Sequence, residues 1–252
     1  MTDSPQPSVP VADAPDPAIG ARSARRRTFP RRVTGRDVVA MFLAVVLVPA
    51  LAVVLVVVAG AGFGQRWLFG VVVPLATGVS YGGVWLALMG RGWSWRDLGF
   101  VRATRSLWNL LWEVPLVWIA ALFLTAIVGS QAGLDPSGPT ASSSAEALEL
   151  GVGALLLMAV CVTFLVPALE EILFRRVVFG WLEQRHGVTA AVAGSALAFG
   201  LVHIAPPIIL LQILIGLGAA TLVRLHRTLW ASLALHALNN GIVTVIVIAS
   251  VR

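Results

Sequence analysis

The 252 residues contain no lysine, one cysteine and one tyrosine, and only 12% of them are charged. A lone cysteine, Cys161, excludes an intrachain disulfide, a zinc finger and a dithiol redox pair. Set inside an apolar run, it reads as a small packed hydrophobe. With lysine absent, the 18 basic residues are all arginine, giving a net charge of +6. They lie in an N-terminal tail and between apolar segments, where they set membrane orientation, so no nucleic-acid partner is expected. What is abundant is hydrocarbon: 58% of the chain is hydrophobic and the mean hydropathy is +0.89. A soluble globular domain is excluded by that composition, and an all-α, polytopic transmembrane helical bundle is expected.

Residues 1–36, rich in Pro, Ala, Asp and Arg, predict a disordered cytoplasmic tail. Arg22, Arg25, Arg26, Arg27, Arg31, Arg32 and Arg36 precede the first apolar segment, which is too long for a signal-peptide core and reads as an anchor. Apolar runs fit spans at about 38–62, 67–90, 107–128, 148–174, 188–205, 206–223 and 229–250, seven in all, or eight if one is broken. Arginine-rich and arginine-poor connections alternate. Four arginines fall in 91–106 and none in 129–147; Arg175, Arg176 and Arg185 precede an uncharged turn at Ala205-Pro206, and Arg224 and Arg227 follow it. This pattern predicts a multi-pass cell-membrane protein with a cytoplasmic N-terminus. Residues 37–147 form an N-terminal group of spans with an interfacial, Trp- and Arg-bearing stretch near 91–106, and 148–252 a C-terminal core. Gly216 and Ala220, four apart, predict close helix contact. Trp108, Trp112 and Trp118 read as interface anchors and packing residues. His186 and His226, beside arginines at predicted helix ends, read as solvated.

The polar residues of the C-terminal core carry the chemistry. Glu170 and Glu171 sit side by side within an apolar stretch, where ionisable groups mark function by default. Helical spacing puts Glu171 and Arg175 on one face, and likewise Phe199 with His203 and His236 with Asn240. Pro167, one turn before Glu171, frees a backbone carbonyl and predicts a local kink. If the chain turns back near Gly187, Glu170 and His203 lie at equal depth, each roughly 25 Å from the turn. His236, close to Arg227, fits that depth poorly. Asn239 faces away from His236 and reads as packing.

Glu170-Glu171-Ile-Leu-Phe-Arg175, Phe199-Gly-Leu-Val-His203 and His236-Ala-Leu-Asn-Asn240 together resemble the three motifs of the CPBP family, the CAAX protease and bacteriocin-processing intramembrane proteases. The lead-in Leu229-Trp-Ala-Ser-Leu-Ala-Leu-His236 is also similar, and the likeness covers about 148–250; Arg176 stands where the family usually has glycine. The resemblance implies peptide-bond hydrolysis within the membrane, with catalytic residues Glu170, Glu171, Arg175, His203, His236 and Asn240. In that scheme Glu170 and His203 hold and deprotonate a water, His236 and Asn240 donate to the oxyanion, and Arg175 neutralises Glu171. The alternative assignment has Glu170, His203 and His236 binding a divalent metal such as zinc. No His-Glu-x-x-His motif is present, and the sequence leaves the metal-free and metal-assisted schemes both open. The expected partners are a peptide or membrane-protein substrate and the lipid bilayer. A lysine-free chain suggests a high-GC bacterial source, where prenylated substrates are not expected. Two other classes compete: a catalytically silent scaffold or immunity protein of the same fold, and an ion-coupled transporter. The transporter needs a polar path that the apolar first three spans do not supply.

Overall fold

A computed structural model describes residues 27–59, 71–133, 150–203 and 206–250. The connection around Arg66, most of the polar stretch 129–147, the arginines before Arg27 and the C-terminal Arg252 lie outside the described residues. Within them the chain is helical, with no strand. Helix α1 spans 35–59, α2 71–89, α3 Leu110–Gln131, α4 152–186, α5 188–201, α6 Pro206–His226 and α7 Leu229–Ser250. Four helical stretches are long and apolar enough to cross a membrane: Leu107–Gln131, Val152–Leu201, Ile208–His226 and Leu229–Ala249. The second of these is two helices. Gly187, at φ 83° and ψ 176°, turns α4 back into α5 with a conformation open chiefly to glycine.

The hairpin register follows the sequence arithmetic, since Phe174 and Phe199, at matching distance from Gly187, stack edge to face with centroids 5.3 Å apart. Helices α5 and α6 approach closely because small residues line their seam. A Cβ on Gly216 would lie 3.0 Å from the Ala196 backbone, and one on Gly200 only 2.3 Å from Ile213. Ala220 is fully buried, as the spacing with Gly216 predicts. Helix α3 packs on α6 and α7 through Val114, Ala121, Ile215, Leu222 and Leu235. Its outer face shows Leu111, Ile119 and Phe123 at 70%, 58% and 65% exposure, as a lipid-facing surface requires. Trp108 and Trp112 are exposed, whereas Trp118 turns inward.

One boundary differs from the sequence reading. Residues 27–36 are not a disordered extension but a packed strap across one end of the bundle. The Glu183 carboxylate accepts from the Thr28 amide and hydroxyl, Gln184 accepts from the Val33 amide, and Phe29 and Val33 are buried. Thr34 then caps α1 in a reciprocal capping box with Asp37. The stretch 91–106 lies at the same end and is anchored by Asp97, which closes a turn by accepting from the Ser94 amide and hydroxyl and pairs with Arg31 at 3.3 Å. Burial alone would raise the Asp97 carboxyl, but the Ser94 hydrogen bonds, then Arg31 and Arg176, outweigh it and hold it below the usual carboxylate range.

Candidate functional site

The site is built on α4, the helix that also touches α1, α2, α5 and α7. Two π-helical stretches, Cys161–Leu165 and Ile172–Val178, bracket the glutamates. Such widened turns often mark functional positions. Pro167 explains the first of them, because in the π register the Val162 carbonyl would pair with the amide of residue 167, and proline has none. The freed carbonyl accepts instead from Asn240 Nδ2 on α7 at 2.8 Å. The predicted distortion is therefore present, and it fixes one of the candidate residues.

Glu171, at 0% exposure, hydrogen-bonds to one partner and forms an ion pair with another. Its Oε1 lies 3.1 Å from His236 Nδ1 and its Oε2 3.4 Å from Arg175 Nε. Arg175 is equally buried and lies over the Phe199 ring at 4.2 Å, a cation–π contact. None of its three guanidinium nitrogens has a hydrogen-bond partner among the described residues, so the Glu171 contact is an ion pair without a hydrogen bond. Across the imidazole, His236 Nε2 is 3.4 Å from Glu170 Oε2. The His236 ring thus bridges the two carboxylates. With both ring protons present, two carboxylates, one imidazolium and one guanidinium sum to zero, which limits the cost of burying them.

His203, at the end of α5, points its Nδ1 to the Phe199 carbonyl at 2.9 Å and packs its ring on Phe199 at 4.9 Å. The same phenyl ring touches His236 at 5.4 Å, so His203 joins the cluster through Phe199. The imidazole beside Glu170 is that of His236, not the His203 that the hairpin arithmetic favoured. The reason lies in how α7 begins. The Leu229 amide donates to the Gly99 carbonyl at 2.9 Å, Thr228 Oγ1 donates to Val101, and Leu229 is fully buried. Helix α7 therefore starts beneath the 97–106 segment, inside the protein, and its seventh residue beyond that start reaches the glutamates. Gly99 permits the crossing, since a side chain at its φ of 98° would come within 2.9 Å of Leu229.

Asn239 supports its neighbour, donating from Nδ2 to Asn240 Oδ1 at 3.0 Å while its own Oδ1 accepts from Trp118 Nε1 at 3.1 Å. Glu170 is the outward member of the cluster, its side chain 21% exposed. It opens on a cavity of about 260 Å³ between α1, α2 and α4.

The donors do not gather into a metal set. Among the described residues no three His, Cys, Asp or Glu side chains converge on one point. Glu171 is engaged by Arg175 and His236, and His203 Nδ1 by a carbonyl, which leaves Glu170 and His236 Nε2 as the adjacent pair.

A second buried pair escaped the sequence reading. His226 is not solvated but fully buried, with Nε2 2.6 Å from Glu113 Oε2 on α3. It sits at a helix end, as its position suggests, yet the 101–106 segment folds over it and Thr104 donates to its carbonyl. The apolar surroundings of Glu113, Glu-Val-Pro-Leu, were the available signal.

Residues 152–242 match the family model described as Type II CAAX prenyl endopeptidase Rce1-like. Over 144 residues the chain is 28% identical to "Putative membrane peptidase YdiL" of Bacillus subtilis (strain 168), an alignment covering 57% of this chain and 59% of that protein. The aligned region thus spans about three fifths of the relative's length. No solved structure matches the chain. Every side chain from Glu170 to Asn240 that forms the cluster on α4, α5 and α7 falls within the stretch that is similar to the CAAX endopeptidase model.

Proposed function

We propose that this protein is an intramembrane endopeptidase that hydrolyses a peptide bond with water activated by Glu170. The observation that carries the reading is the ordered line Arg175, Glu171, His236, Glu170, whose last member faces a cavity. Arg175 fixes Glu171, and Glu171 fixes the imidazole through Nδ1, which leaves Nε2 aimed at Glu170. This is the orienting logic of a carboxylate–histidine pair, in which the buried acid sets the ring's tautomer and direction. Glu170 accepts a proton from water as its oxygen attacks the scissile carbonyl carbon. His236 Nε2–H donates to the oxyanion, aided by the second N–H of Asn240 Nδ2. The proton on Glu170 then passes to the amine as the C–N bond breaks. His203, across the Phe199 ring, is assigned to holding the attacking water. A metal-assisted variant through Glu170, His203 and His236 requires side-chain rearrangement to bring the three together.

All seven helices are read as spans of a multi-pass membrane protein. Arg31, Arg91, Arg96, Arg102, Arg105, Arg185 and Arg227 lie on connections and helix ends at the end of the bundle where α1 begins. That end is assigned to the cytoplasm. A peptide or membrane-protein segment is the substrate class.

Cleavage of an apolar peptide library by purified protein, with Glu170→Gln as control, tests the activity. The substitution keeps shape and removes the base, so cleavage is expected to fall at least about 100-fold with unchanged membrane level and thermal stability. Equal cleavage by both proteins would sink the reading. No cleavage by either, with partner-helix binding retained, would favour a silent scaffold. Metal analysis of the same preparation, and cleavage after chelation, separates the two water-activation schemes.

A further inference from the structure

The cavity in front of Glu170 holds a polar group that the hydrolytic steps do not use. Ser80, on α2, is 1% exposed, lines the same space as Glu170, and its Oγ has no hydrogen-bond partner among the described residues. A helical serine usually returns its hydroxyl to a carbonyl one turn back. Thr77, also on the cavity wall, does so, donating to Val73 at 2.8 Å. Ser80 does not. Its neighbour Tyr81 donates to the Leu165 carbonyl at 2.9 Å, which ties α2 to α4 beside the glutamates and holds the serine in place. The remaining walls are Val45, Pro49, Val73, Ala76, Val166 and Leu169. They are aliphatic and short, with no aromatic ring to stack on and no cation. The volume, about 260 Å³, falls below the roughly 300–1,000 Å³ of pockets for drug-sized ligands. It suits one short side chain with its flanking peptide group.

We propose that this cavity is a substrate subsite that takes a short aliphatic side chain flanking the scissile bond, with the Ser80 hydroxyl donating to the adjacent peptide carbonyl. An extended peptide inside a membrane protein must have its backbone groups satisfied by the protein, and a buried, unspent donor beside the catalytic carboxylate meets that need. Ala76 sets the depth of the pocket, because a larger residue there would occupy the space of the guest side chain. The inference rests on the peptidase reading for its placement at the scissile bond.

The test uses the full chain carrying Glu170→Gln, so that bound peptide survives. It measures binding of fluorescent apolar nonapeptides with one central guest residue: Ala, Val, Leu, Phe, Arg or a prenylated cysteine. Val and Leu guests are expected to bind about tenfold tighter than Phe or Arg. Adding Ala76→Leu should abolish that preference while leaving the Ala guest within about twofold, and adding Ser80→Ala should weaken every aliphatic guest about fivefold, whatever its size. Should Ala76→Leu lower the thermal midpoint, Ala76→Val makes the same measurement with a smaller intrusion. Guest-independent binding, an Ala76→Leu effect equal on all peptides, or tightest binding of the prenylated guest would each overturn the subsite. Guest-dependent binding without cleavage by the unsubstituted protein leaves the pocket standing and removes the peptidase. Cleavage indifferent to the guest does the reverse.

Discussion

Two adjacent arginines on α4 show how one residue type does different work according to what its neighbours leave unsatisfied. Arg175 is turned into the site, between Glu171 and the face of Phe199. Arg176 turns toward the strap. Its Nε donates to the Asp97 carbonyl at 2.5 Å and its Nη2 to the Arg31 carbonyl at 3.3 Å, with Phe29 and Trp93 rings at 4.9 and 4.6 Å from its guanidinium carbon. It is a clamp on the 27–34 and 91–98 segments, apart from the contacts among Glu170, Glu171 and His236. Gly180 makes room for it, since a Cβ there would meet Nη1 at 3.1 Å. For Arg175 the consequence is energetic. Arg175→Met strands the Glu171 carboxylate in a dry interior and is expected to cost about 3–5 kcal/mol of stability. Arg175→Met with Glu171→Gln removes both charges and should recover most of that loss without recovering cleavage. Thermal unfolding of the two variants in one detergent measures it. Equal destabilisation by single and double variants would show that the pair does not depend on mutual neutralisation.

At the scale of the helix, the sequence announces some features and conceals others for identifiable reasons. The spacing of Glu171 to Arg175, the hairpin register at Phe174 and Phe199, the small-residue seam at Gly216 and the disturbance at Pro167 are local or follow from one turn, and all are legible in the residues. The contact between His236 and Glu170 is not, because it depends on α7 starting beneath 97–106, a tertiary placement that hydropathy does not encode. The Glu113–His226 pair and the strap at 27–34 were missed for the same reason: long-range partners convert a charged helix end or a proline-rich tail into buried structure. Pro167 is the element whose effect can be tested most directly. Pro167→Ala lets the tighter α register form, in which the new amide pairs with the Thr163 carbonyl and the Val166 amide takes the Val162 carbonyl from Asn240. Helix stability should hold or rise, while cleavage falls about tenfold as Asn240 loses its anchor. A circular-dichroism melt paired with turnover on one peptide checks both. Lost stability with intact turnover would mean that the widened turn serves packing alone.

Over the whole molecule, charge and hydrocarbon are sorted along the bundle axis. The end where α1 begins gathers the strap, the 91–106 segment and the start of α7, with their arginines, aromatic rings, the half-buried Arg31–Asp97 pair and the buried Glu113–His226 pair. At the far end of α3, Gln131 closes 22 helical residues, about 33 Å away by helical rise. An arginine-rich end kept on the cytoplasmic side and a charge-poor end translocated is the arrangement that insertion energetics favour. The lone native thiol makes this testable, because Cys161 is buried and replacing it by alanine leaves a cysteine-free chain. Arg96→Cys and Ala132→Cys then place single thiols at exposed positions on opposite ends. A membrane-impermeant maleimide should label the residue-132 variant in right-side-out vesicles and the residue-96 variant only in inverted ones. Labelling of both from the same face would contradict the axial sorting.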